Sequence, residues 1–187
     1  YKINVNNFKI TSFNKQYKDK NLITKIYAIK KDSKGNIWIG GIDSQMIVVS
    51  SKGKMKTFPL KDIKAITELN DGSILASGRY GIHIINPEND SFRILEELEP
   101  RQTSLAFSTI HSVKESKSGN LVIGTNGAGL VIYNLNTKSI KKIDVSSGLP
   151  SDIVQGVLIK DNNNIWASTT KGLANITFTE NDTVINV

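Results

Sequence analysis

Asp32 and Trp38 stand six residues apart in the stretch KKDSKGNIWIG, residues 30–40, with a glycine turn between them. A carboxylate near an indole is a pairing that sugar-binding or glycoside-cleaving sites use. The ring offers a flat apolar face, and the carboxylate an acceptor or a general acid–base group. The two histidines, His83 and His111, have no carboxylate–histidine spacing that matches a metal site. Neither lies where a nucleophile–base pair can be argued. Arg79 and Tyr80 form the most distinctive remaining pair. A guanidinium fork beside an aromatic face can hold a polar or acidic sugar. Whether such residues are site or scaffold depends on the elements that carry them.

Those elements repeat. GNIWIGG at 35–41 recurs as GSILASG at 72–78, GNLVIGT at 119–125 and NNIWAST at 163–169, at spacings of 37, 47 and 44 residues. An alternating segment precedes each copy: IYAIKKD, IKAITELND, IHSVKES and IVQGVLIKD. A second apolar run follows: MIVVS, GIHIIN, GLVIYN and GLANIT. A fourth segment closes each unit as KMKTF, SFRIL and SIKKI, with TVINV at 183–187 in the last. Short β-branched segments bounded by Gly, Asn and Asp read as strands, and no window sustains a helical period. Four antiparallel strands every forty-odd residues are the repeat of a β-propeller blade. The second strand of a blade packs on both faces, which explains the continuous apolar runs IWI, ILA, LVI and IWA. The expected architecture is all-β: four four-stranded antiparallel blades plus half of another. Residues 1–25 hold the end of a preceding blade and a linker. The blades cover 26–58, 63–95, 110–143 and 153–187.

Composition narrows the function classes. The net charge is +7, almost all from lysine, and the arginines are only Arg79, Arg93 and Arg101. Nucleic-acid readers cluster arginine forks with aromatics, and no such cluster occurs, so no nucleic-acid partner is expected. There is no cysteine, which excludes disulfides and thiolate metal sites. No apolar run reaches the roughly 18 residues of a membrane span, so membrane contact is expected only through parts outside the segment. The chain starts at Tyr1 and reads as a piece of a longer protein. Propellers close with roughly four to eight blades. The open edges are therefore expected to meet the rest of the same chain or a second copy.

The phrase GLPSDIVQGVLIKDNNNIWASTTKGLANITF, 148–178, resembles the two-component regulator propeller repeat. VKESKSGNLVIGTNGAGLVIYN, 113–134, is similar almost throughout, and IKKDSKGNIWIGG, 29–41, in its first half. The glycine before the third strand is kept as Gly81, Gly129 and Gly172, while Gln45 replaces it in the first copy. The resemblance implies the periplasmic sensor region of a hybrid two-component regulator of the Bacteroidetes type. It implies sensing of polysaccharide-derived oligosaccharides and signalling to a histidine kinase encoded outside this segment. Asp32 also resembles the Asp-box of sialidase propellers, with one extra residue before the glycine. That box is itself a structural turn.

The repeats weigh the candidates. The Trp38 column reads Trp38, Leu75, Val122 and Trp166. A stacking platform requires a flat ring, whereas a core position accepts any bulky apolar group, so this column is expected to be core. Gly40, Ser77, Gly124 and Ser168 form a small-residue column beside it. The loops between second and third strands do not repeat their chemistry. Binding residues often sit on loops held by a rigid scaffold. These loops supply Asp43, Gln45, Arg79, Tyr80, Asn126 and Lys171 as ligand-binding candidates. The long connection at 96–109 adds Arg101 and Gln102 on the same expected face. No catalytic residue, metal ligand or cofactor is expected. The alternatives are a propeller scaffold for protein contacts or dimerisation, and a glycan-active propeller enzyme. The enzyme would require a cluster of ionisable groups that the sequence does not display.

Overall fold

Gly and Asn turns break the chain into short β-branched runs, and those runs pair as meanders. The computed structural model describes residues 2–3, 6–7, 9–11, 25–98, 109–161, 163–178 and 183–186. A two-stranded sheet comes first, from β1 (Lys2–Ile3) and β2 (Ile10–Thr11). Blade 1 holds β3 (Lys25–Lys31), β4 (Ile37–Ile42), β5 (Met46–Val49) and β6 (Met55–Phe58). Blade 2 holds β7 (Ile63–Glu68), β8 (Ile74–Gly78), β9 (Gly81–Ile85) and β10 (Phe92–Ile94). Blade 3 holds β11 (Ile110–Glu115), β12 (Asn120–Thr125), β13 (Leu130–Asn134) and β14 (Ile140–Ile143). Blade 4 holds β15 (Val154–Asp161), β16 (Asn164–Thr169), β17 (Gly172–Phe178) and β18 (Thr183–Asn186). Each blade is a four-stranded antiparallel sheet in chain order. Helical structure among the described residues is confined to 3-10 turns at Glu96–Leu98 and Val145–Ser147.

The first strands adjoin in sequence: β3 packs on β7, β7 on β11, and β11 on β15. They are the innermost strands of a propeller arc. The core lies between blades. Trp38, Met46 and Phe58 of blade 1 pack with Ile63, Ile74 and Ile85 of blade 2. Leu75, Ile82 and Ile84 meet Leu121, Ile123 and Tyr133 of blade 3. Val122, Leu130 and Ile143 meet Val154, Ile165 and Ile176 of blade 4. Each such side chain contributes roughly 1.5–3 kcal/mol by leaving water. Every residue of β8 is buried, as a strand sandwiched on both faces requires. The small column permits this approach. A Cβ on Gly40 would lie 2.6 Å from Ile63 Cγ2, and one on Gly124 would lie 2.9 Å from Val154 Cγ1.

The bulky column differs from its expectation in one copy. Trp38, Leu75 and Val122 are buried, but Trp166 is 37% exposed. Trp166 lies beside Leu158, and its neighbour along β16, Ser168, lies beside Leu173. These side chains share the face of blade 4 turned away from blade 3. In blades 1 to 3 the following blade covers that face. On blade 4 no described residue does.

Candidate functional site

Asp32 has a structural task. Its carboxylate accepts from Trp38 Nε1 at 2.8 Å, from the Asn36 backbone N–H at 2.7 Å and from Asn36 Nδ2 at 2.8 Å. Burial alone would raise its pKa, but the hydrogen bonds from Trp38 and Asn36 outweigh it and hold the carboxyl below its usual range. The side chain therefore locks the β3–β4 turn and anchors the buried indole. The opposite ends of these turns staple blades together. Ser33 N–H donates to Glu68 at 2.9 and 3.0 Å, and Asn70 N–H donates to Glu115 at 2.6 Å.

The other face gathers the loops between second and third strands around the entries of the first strands. Asp43 N–H donates to Asp62 Oδ1 at 3.1 Å, across the blade 1–blade 2 boundary. Arg79 N–H reaches the Asp62 carbonyl at 3.4 Å, within blade 2. Asn126 N–H donates to the Thr109 carbonyl at 2.9 Å, and Gly127 and Gly129 N–H donate to the Asp152 carbonyl at 3.0 and 2.9 Å. Thr170 N–H donates to the Ile153 carbonyl at 3.2 Å. Carbonyls at the entries of β7, β11 and β15 thus tie down the loops beside them. Close approach requires a bare backbone: a Cβ on Gly78 would lie 1.9 Å from the Asp62 oxygen.

These loops enclose an open cleft of about 280 Å³. Asp43 enters it from blade 1, Asp62, Lys64 and Arg79 from blade 2, and Thr109 and Asn126 from blade 3. Thr109 is 5% exposed, and its hydroxyl has no hydrogen-bond partner among the described residues. Arg79 makes no ion pair among the described residues. The cleft carries two carboxylates and two cations. Carboxylates only accept hydrogen bonds, whereas ammonium and guanidinium groups only donate them. Among the described residues, no group of three or more His, Asp or Glu side chains converges as a metal ion would need.

The structure brings Asp43, Arg79 and Asn126 together, from three different blades. Gln45 is exposed at the end of its loop, and Tyr80 is 42% exposed; neither lines the cleft. Lys171 is exposed on the blade 4 loop, also outside it. Arg101 and Gln102 lie outside the described residues. Asp62, Lys64 and Thr109 line the cleft without having been singled out from the sequence. Asp62 and Thr109 sit at strand entries and Lys64 lies in β7; only Thr109 shares a connection, 96–109, with Arg101 and Gln102. His83 lies in β9 with its Nδ1 buried and unpartnered among the described residues, and burial lowers its pKa. A second cleft of about 190 Å³ opens between the outer parts of blades 3 and 4, over Ile132, Ile165 and Phe178. It is an interblade gap of mixed lining, with Ser116, Asn120, Lys141 and Asp161 beside those apolar groups.

Comparison with known proteins fits this geometry. The model of the family "Two component regulator propeller" matches residues 22–43, the entry and turn of blade 1. Over those residues the chain is similar to a two component regulator propeller repeat. A histidine kinase P4 of Formosa agariphila is 28% identical over 134 residues, which cover 65% of this chain and 9% of that protein. The extracellular domain of a hybrid two component system, BT3049, of B. thetaiotaomicron superimposes with a TM-score of 0.73 at 22% identity. That match covers 91% of this chain and 23% of the other. The WD40 β-propeller domain of Doa1 superimposes with a TM-score of 0.66 at 18% identity, over 83% of this chain and 51% of the other. At these identities the structural likeness is one of fold. The chain spans less than a tenth of the kinase and about a quarter of the BT3049 domain. Among the described residues, no helix is long and apolar enough to cross a membrane.

Proposed function

We propose that this propeller segment belongs to the periplasmic sensor region of a hybrid two-component regulator, and that it binds an oligosaccharide without turning it over. The observation that carries the reading is the cleft fed by three blades, lined by acceptor-only and donor-only groups and by the Thr109 hydroxyl, which has no hydrogen-bond partner among the described residues. A sugar hydroxyl both donates and accepts, so vicinal hydroxyls complement such a cleft. The likeness to a histidine kinase and to an extracellular domain of a two component system supports the sensor context. Signalling would follow from differential affinity. A ligand gripped by Asp43, Arg79 and Asn126 together favours one mutual arrangement of their blades and shifts the equilibrium presented to a kinase elsewhere in the protein.

Calorimetric titration of the intact sensor region against a panel of oligosaccharides tests this. Saturable binding is expected, weakened about tenfold or more by Arg79→Ala, the equivalent of roughly 1.4 kcal/mol. Absence of binding by every member of the panel would contradict it. The exposed apolar face of Leu158, Trp166 and Leu173 favours a second reading, a scaffold that meets the remainder of the chain or a second copy. That reading predicts a ligand response indifferent to Arg79→Ala.

A further inference from the structure

The innermost strands share one irregularity. The register with the second strand shifts between Ile26 and Ala28 in β3, between Ile63 and Ala65 in β7, between Ile110 and Ser112 in β11, and between Val154 and Gly156 in β15. The residues passed over are Tyr27, Lys64, His111 and Gln155. A bulge leaves its extra residue unpaired and re-aims that side chain. The flanking positions repeat faithfully: a β-branched residue before, a small one after. The bulged positions do not repeat. They are a phenol, an ammonium, an imidazole and an amide, which no common packing role would select.

Lys64 connects this column to the cleft. It lines the cleft, and its Nζ lies 5.8 Å from the centroid of the Tyr27 ring. Its charge also acts on His111: burial first, and then Lys64, lower the pKa of that imidazole. A neutral imidazole keeps one donor and one acceptor, the pair a hydroxyl needs. Tyr27 is 54% exposed, an aromatic surface beside a polar cleft rather than in a core.

We propose that Tyr27, Lys64 and His111 form an axial subsite that stacks a neutral sugar ring on Tyr27 and holds its hydroxyls with Lys64 and His111. This rests on the reading of the neighbouring cleft as an oligosaccharide site. The cleft around Arg79 then takes one sugar, and the bulged column takes the next, toward the propeller axis. The aromatic body supplies apolar contact and the polar groups fix orientation, the usual division in such sites.

The test uses the intact sensor region and short and long maltose-, xylose- and mannose-based oligosaccharides, measured by calorimetry. Tyr27→Ala and His111→Gln are expected to weaken the long members about tenfold and leave the shortest unchanged. Tyr27→Phe is expected to keep wild-type affinity, because the ring and not its hydroxyl makes the stack. Thermal melting of each variant confirms that it is folded. Wild-type affinity of Tyr27→Ala and His111→Gln for every length, with binding still weakened in Arg79→Ala, would overturn the axial subsite and spare the cleft. Absence of binding to the unaltered protein would overturn both.

Discussion

The indole of Trp38 and the carboxylate of Asp32 bind each other, at 2.8 Å, and so neither is available to a ligand. Trp38→Phe keeps most of the buried ring and deletes the donor. Asp32 Oδ2 then retains only Asn36 Nδ2. A loss of about 1–3 kcal/mol in urea denaturation is expected, the cost of under-satisfying a buried polar group. An unchanged midpoint would show that the hydrogen bond is not a structural tie. The repeated column made the core role of Trp38 legible in the sequence, because leucine and valine replace it elsewhere. The exposure of Trp166 was not legible. Burial at that position depends on what the neighbouring blade supplies, and a single repeat carries no record of its neighbour.

At the scale of strands and blades, continuous apolar runs identified the second strands, because only a strand covered on both faces dispenses with alternation. The glycine turns were equally readable: Gly35, Gly72 and Gly119 all adopt positive φ, at 84°, 83° and 78°. The bulges were not. They are set by pairing between strands, although the chemically mixed column of Tyr27, Lys64, His111 and Gln155 is visible once the repeats are aligned. Blade 4 ends the described arc with Leu158 63% and Leu173 52% exposed beside Trp166. Exposed apolar sheet faces of this kind associate. The isolated chain is therefore expected to self-associate as its concentration rises in light scattering, and Trp166→Lys to shift it toward monomer. A monomer at high concentration without the substitution would contradict this.

At the scale of the whole molecule, the two ends of the blades divide the work. One end is closed by turns whose polar atoms are consumed in staples such as Ser33 to Glu68. The other end leaves a cleft in which loops of three blades meet around Lys64, Arg79 and Thr109. The sequence located that end, because its loops vary while the strands repeat. It did not locate the side chains within it. Tyr80 follows Arg79 directly yet lies outside the cleft, whereas Asp62 and Thr109 reach it from strand entries that looked like plain connections. Amide chemical-shift mapping of the sensor region, titrated with the oligosaccharides that bind, separates the two ends directly. The account predicts shifts concentrated at Asp43, Lys64, Arg79, Thr109 and Asn126. Shifts confined to the Asp32–Asn36 and Asn70–Gly72 turns, with the cleft silent, would contradict it.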